Sequence, residues 1–292
     1  MPSVSFLVAS ILALAHAVLC DLSVRWAFNI PQAAVLERID VSADKSFVVA
    51  SVQTPTQPPF TTASLYAFAA DPASPSGSLL WTIQAHTENA PLGRPSISPD
   101  GSYVAVGCQS CVINNAFIFA INGNAPSLLW SGLLKQFGSS NVLTIEGIPA
   151  WRPDSSFVYF QDVSFGNVIE VQVSASPSVT GQAVVSKGPS NPGAPSPIVS
   201  QDGKYLYACG SSSLPNSGTL NQYTLPMKAQ NPTPSAKIQL SNPCAATSTL
   251  QKSTNMLYIG DNNGTAAVDT SGGRLARKWC LPPPSLPVSV TV

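Results

Sequence analysis

The alternation of apolar and polar positions repeats along this chain. Residues 96–107, SISPDGSYVAVG, read as strand, turn, strand. Pro99 presets φ at the second turn position, Asp100 can bond its own backbone, and Gly101 tolerates φ above zero. Beyond the turn, Tyr103, Ala105 and Gly107 point to one face and Val104 and Val106 to the other. Two apolar faces predict a strand buried between layers. With the turn acid in register, the copies are VSADKSFVVAS (Asp44), ISPDGSYVAVG (Asp100), WRPDSSFVYFQ (Asp154), VSQDGKYLYAC (Asp202) and QKSTNMLYIGD, with Ser253 in the slot. Successive slots lie 56, 54, 48 and 51 residues apart. Three residues past each slot stand Phe47, Tyr103, Phe157, Tyr205 and Met256, all large enough to pack between layers. Pro95, Pro149 and Pro197 open incoming strands, where a missing N–H costs least.

The second half of each unit repeats as well. After the strand pair come an apolar segment, a polar turn and a segment often centred on Trp, as in SLYAFAADPASPSGSLLWTI and NAFIFAINGNAPSLLWSGLL. Trp81, Trp130 and Trp279 fall in the last strand of their units, and Trp26 falls in a stray copy, LSVRWAFNI. Four strands per unit, copied with a period near fifty, predict an all-β β-propeller whose sheets bury their faces only against their neighbours. We expect five blades in one domain over residues 21–292, with an incomplete ring as the alternative, because the stray copy has no inner strands before it. No stretch outside the leader combines a helical apolar period with caps.

Composition narrows the function classes. Charged residues make up 10% of the 292 residues, and 27 prolines and 19 glycines supply turns. Lys plus Arg balance Asp plus Glu at 14 each, so no basic field draws nucleic acid or an anionic membrane. The apolar run SFLVASILALAHAVLC within residues 1–20 is expected to be a secretory signal peptide, with Ala15-His16-Ala17 as a small-x-small cleavage pattern. An uncleaved anchor is the alternative. Export and no membrane association after cleavage follow from the first reading.

Beyond the leader stand Cys108, Cys111, Cys209, Cys244 and Cys280. Cys108 and Cys111 bracket a hairpin turn, and a local disulfide is the first expectation. A free or partner-bound pair, redox chemistry and metal binding are the others. Zinc needs two further ligands, and the one histidine past the leader, His86, has no companion at metal spacing in the sequence. Of the remaining three cysteines at most one pair can close. Asn263-Gly264-Thr265 is a glycosylation sequon in a polar hairpin. His86, Glu88 and Arg94, within HTENAPLGR, form the one mixed base, acid and cation cluster on offer for proton transfer. The same stretch also reads as a plain polar loop.

The fifth unit, LYIGDNNGTAAVDTSGGRLARKW, resembles the repeat of the pyrroloquinoline-quinone-type propeller superfamily through Ala267-Val268-Asp269, Gly272-Gly273 and Trp279. Ala69-Ala70-Asp71 and Gly77 to Trp81 repeat the resemblance in the first unit. SQDGKYLYACG is also similar to the repeat of seven-bladed lactonase-like propellers. The quinoprotein resemblance implies calcium, a catalytic Asp and a disulfide between adjacent cysteines. Here two residues separate Cys108 from Cys111 and no ligand cluster can be assigned, so no cofactor and no metal are expected. The lactonase resemblance implies acidic, His and Arg residues at a channel mouth, where this chain offers His86 and carboxylates such as Glu88, Glu146 and Glu170. The leading expectation is a secreted, non-enzymatic scaffold that binds a protein or glycan at a loop face. The alternative is a quinoprotein-type oxidoreductase or lactonase-like hydrolase.

Overall fold

The structure, a computed structural model, describes residues 35–55, 61–70, 78–86, 88, 90–123, 125–136, 138–185, 196–211, 218–240, 249–251, 253–261 and 264–281. The leader, the stray copy with Trp26, and Asn263 lie outside the described residues. Each predicted unit folds as a four-stranded antiparallel meander. The first sheet holds β1 (Val35–Val41), β2 (Phe47–Pro55), β3 (Thr61–Ala69) and β4 (Leu79–His86). The second holds β5 (Ser96–Ile97), β6 (Tyr103–Gly107), β7 (Ala116–Asn122) and β8 (Ala125–Gly132). The third holds β9 (Ala150–Trp151), β10 (Phe157–Gln161), β11 (Asn167–Gln172) and β12 (Ser178–Val184). The fourth holds β13 (Ile198–Val199), β14 (Tyr205–Ser211), β15 (Gly218–Thr224) and β16 (Ala236–Leu240). The fifth holds β17 (Thr249–Gln251), β18 (Met256–Asp261), β19 (Gly264–Asp269) and β20 (Ala276–Leu281).

The strand-turn-strand signal is built as the sequence predicts, with one addition. In the second unit Gly101 takes φ 73° and its N–H donates to the Ser98 carbonyl at 2.9 Å. The Ser98 hydroxyl donates to Asp100 Oδ1 at 2.6 Å and accepts the Tyr103 N–H at 2.9 Å, closing the turn from within. Ser42 and Ser200 do the same beside Asp44 and Asp202. In the third unit Arg152 stands in that place. It pairs with Asp154 at 3.6 Å and lies 5.4 Å over the Phe157 ring.

These donors hold the turn carboxylates below their usual range. For Asp44 the Ser42 hydroxyl and then the Ser46 N–H lower the pKa to about 2. For Asp202 the Ser200 hydroxyl leads. Partial burial opposes the shift at Asp100 and Asp154, and the combined donors outweigh it.

Alternation along the second and third strands makes the layers. Val104 and Val106 face the first sheet and pack with Leu65, Ala67 and Trp81. Tyr103 and Ala105 face the third sheet and pack with Trp151, Val158 and Phe160. One step on, Phe157 and Tyr159 meet Leu206, Ala208 and Tyr223. Tyr207, Cys209 and Leu220 then meet Leu257, Ile259 and Val268. Four apolar layers thus join five consecutive sheets, and polar ties reinforce them at the short first strands. The Ile97 N–H donates to Asp40 Oδ2 at 2.8 Å, and Trp151 Nε1 to the Ser96 carbonyl at 3.0 Å. Among the described residues no apolar cluster joins the fifth sheet to the first. Gly107 is fixed by proximity: a Cβ there would overlap the Ile145 side chain and carbonyl.

Candidate functional site

In a meander the exit of the fourth strand and the turn between the second and third strands emerge at the same end of the sheet. The end of β4 in the first sheet and the hairpin 108–115 between β6 and β7 in the second therefore meet on one rim. There His86 Nε2 lies 3.6 Å from Cys108 Sγ and 3.4 Å from Cys111 Sγ, and its ring stacks on Phe117 with centroids 5.8 Å apart. The two sulfurs stand at disulfide distance, with Cα atoms 5.7 Å apart. Both cysteines are buried, at 0% and 1% exposure. The sequence offers His86 no companion at metal spacing, and the structure places both sulfurs beside its imidazole. The cysteines are 22 and 25 residues away along the chain, and only the packing of two sheets brings them to the imidazole.

The hairpin is held from several sides. The Cys108 N–H donates to the Asn115 carbonyl at 2.9 Å, and the Cys108 carbonyl accepts the Ile145 N–H at 3.2 Å. Buried Asn115 hangs the next connection on the hairpin. Its Nδ2 donates to the Leu134 and Leu143 carbonyls at 2.9 and 2.7 Å, and its Oδ1 accepts the Leu134 N–H at 2.7 Å. The Glu88 carboxylate accepts the N–H groups of Val112 at 2.6 Å and Ile113 at 3.3 Å. Glu88 is thus a brace for the hairpin tip, whose Val112 and Ile113 side chains are 69% and 66% exposed.

Burial pushes the His86 pKa down, with the Glu88 carboxylate and backbone opposing, so the ring is neutral at ordinary pH. Its Nδ1 is buried without an aligned hydrogen bond. Among the described residues no hydrogen bond or ion pair links Arg94 to His86 or Glu88. Burial, reinforced by Arg38, lowers the Arg94 pKa. Arg38 itself pairs with Glu146 at 3.9 Å.

Cys209 is disulfide-bonded, and its partner lies outside the described side chains. The polar loop 228–234 packs on the third sheet: the Gln182 N–H donates to the Ala229 carbonyl at 3.2 Å, and the Gln182 carbonyl accepts the Asn231 N–H at 2.5 Å. The opposite rim carries a cleft of about 610 Å³ between the Asp202 turn and the segment 270–273, lined by Lys204, Tyr205, Tyr207 and Asn255. Sequence reading missed it because its walls come from two units.

The class defined by this geometry is the β-propeller, and solved structures agree. No protein-family profile and no curated protein matches the sequence. The C-terminal WD40 domain of Sif2 superposes with TM-score 0.59 at 14% identity, covering 86% of this chain and 61% of that one. This chain therefore spans under two thirds of that domain's length. Chaetomium thermophilum Sqt1, solved bound to the N-terminus of ribosomal protein L10, gives 0.54 at 14% identity over 89% of this chain and 78% of that one. A Bacteroides fragilis protein designated a candidate 6-phosphogluconolactonase gives 0.52 at 14% identity over 82% of each chain. The lactonase-like resemblance thus has a structural counterpart at the level of fold. The pyrroloquinoline-quinone type has none among these three.

Proposed function

We propose that the chain is an exported, non-enzymatic propeller scaffold that binds a protein partner at the rim carrying the hairpin 108–115. The observation behind this reading is the tip itself. Two large apolar side chains, Val112 and Ile113, are exposed on a turn that Glu88, Asn115 and the Cys108–Cys111 link hold in one shape. An apolar anchor held rigid before binding loses little conformational freedom on docking. Sqt1 offers a precedent on the same fold, since that protein was solved with a peptide segment bound. The test is cross-linked capture from the extracellular medium, comparing the native chain with Val112→Asp/Ile113→Asp. A partner retained by the first and lost by the second is expected. Identical captures, or recovery of the chain alone, would refute the reading. The likeness to a candidate lactonase keeps one alternative specific: lactone hydrolysis by the purified chain is expected at blank level, and turnover lost in His86→Asn would favour the enzyme.

A further inference from the structure

We infer that His86, Cys108 and Cys111 form a binding set for one thiophilic divalent cation of the zinc class, shut while the two sulfurs are joined and opened when they are reduced. The inference stands independently of the binding role. These three ligand atoms lie within 4.8 Å of one another. In a tetrahedral zinc site with Zn–S about 2.3 Å and Zn–N about 2.0–2.1 Å, an N···S edge is about 3.6 Å and an S···S edge about 3.8 Å. His86 Nε2 already stands 3.4 and 3.6 Å from the sulfurs. Only the sulfur–sulfur separation has to change, and Cys-x-x-Cys is the spacing zinc ligands commonly use.

The surroundings suit a ligand as well. Phe117 orients the ring by stacking. A packed structural disulfide needs no imidazole nitrogen 3.4 and 3.6 Å from its two sulfurs. Three protein donors leave the fourth tetrahedral position to water.

The chemistry balances as follows. The disulfide is reduced to two thiols either by a dithiol, which gives two electrons and two protons and leaves as its own disulfide, or by a phosphine, which gives two electrons and leaves as its oxide while water supplies the oxygen and the two protons. Binding of the dication then displaces the two thiol protons. The metal replaces the S–S bond as the clasp of the hairpin and adds a tether to the end of β4.

The full chain, reduced with a phosphine and with its free thiols counted by mass after alkylation, is titrated with cobalt(II) without oxygen. One cobalt per chain with sulfur-to-metal charge-transfer absorption is expected, absent before reduction and displaced by zinc. Cys108→Ser/Cys111→Ser reports any background from the other cysteines and should lack this signal. His86→Asn should bind at least about tenfold more weakly, since even an outer partner of a ligand is worth that much. Circular dichroism checks that each variant is folded. A measurement needing no variant runs alongside: saturating zinc should protect Cys108 and Cys111 from alkylation, read peptide by peptide. Reduced protein that binds no more cobalt than the double variant, unchanged alkylation rates, undiminished binding by His86→Asn, or a Cys108–Cys111 bond that the phosphine cannot reduce in the folded chain would each overturn the inference.

Discussion

Replacing Glu170 probes the joint between the third and fourth sheets. This carboxylate is fully buried on β11, and no cation pairs with it among the described residues. Four donors compensate. Oε2 accepts the Tyr159 hydroxyl at 3.0 Å and the Met227 N–H at 2.7 Å. Oε1 accepts the Thr180 hydroxyl at 2.8 Å and the Lys228 N–H at 3.4 Å. Burial and the Glu170 carboxylate together hold the Tyr159 phenol far above its ordinary pKa, so it stays a donor. Met227 and Lys228 belong to the connection after β15, so one side chain of the third sheet clamps a loop of the fourth.

Two effects compete when the charge is removed. Hydrogen bonds to a charged group contribute about 1.5–3 kcal/mol each, whereas desolvating a carboxylate costs several kcal/mol. In Glu170→Gln the amide should turn its NH₂ toward Thr180, whose hydroxyl can rotate to accept, and toward the long Lys228 contact. The short bonds to Met227 and Tyr159 then survive. That orientation predicts a loss of about 1–2 kcal/mol, one or two weakened bonds offset by the relieved desolvation. Glu170→Ala strands all four donors beside a cavity and should lose about 3–5 kcal/mol. Urea unfolding measures both, and hydrogen exchange at residues 227–231 should accelerate in the Ala variant before global unfolding does. A Gln variant as stable as the native chain together with an Ala variant within about 0.5 kcal/mol of it, the range of ordinary surface changes, would refute the clamp.

Other perturbations test the layers and turns. Trp81→Ala should cost about 3–5 kcal/mol in urea unfolding, because the ring is buried between the first two sheets. Gly107→Ala should cost about 1–3 kcal/mol, since Ile145 or the backbone must move. Lys45 holds φ 61° where the second and fourth units use Gly101 and Gly203 at 73° and 69°, so Lys45→Gly should raise the urea midpoint, by about 0.5–1 kcal/mol of stability. The depressed turn carboxylates stabilise the fold fully above the ordinary value of 3.8, and that contribution is lost as pH falls toward about 2, where Asp44 titrates. Urea midpoints should therefore drop across that window, and Asp44→Asn should flatten part of the drop.

What the sequence revealed was local, and what it hid was lateral. The Asp slots, the large residue three places on and the two apolar faces of β6 follow from turn chemistry and a period of two, which act within a dozen residues. The serine two places before the slot had a sequence signal, in Ser42, Ser98 and Ser200, that a register centred on the acid passed over. Gly107 showed as a strand residue, but the reason for it, Ile145 from the next connection, did not. His86 with Cys108 and Cys111, and Glu170 with Met227, are pairs made when one sheet is laid on the next. No spacing rule brings together residues separated by 22 or 57 positions. The cleft beside Asp202 arises the same way.

The central claim, five like sheets joined through four shared apolar layers, is tested most directly by amide hydrogen exchange along the whole native chain. Protection should peak in step at β2 and β3, β6 and β7, β10 and β11, β14 and β15, and β18 and β19, with fast exchange at the exposed turns beside Asp44, Asp100, Asp154 and Asp202 in between. Protection confined to one contiguous part of the chain, or maxima out of phase with those turns, would contradict the account.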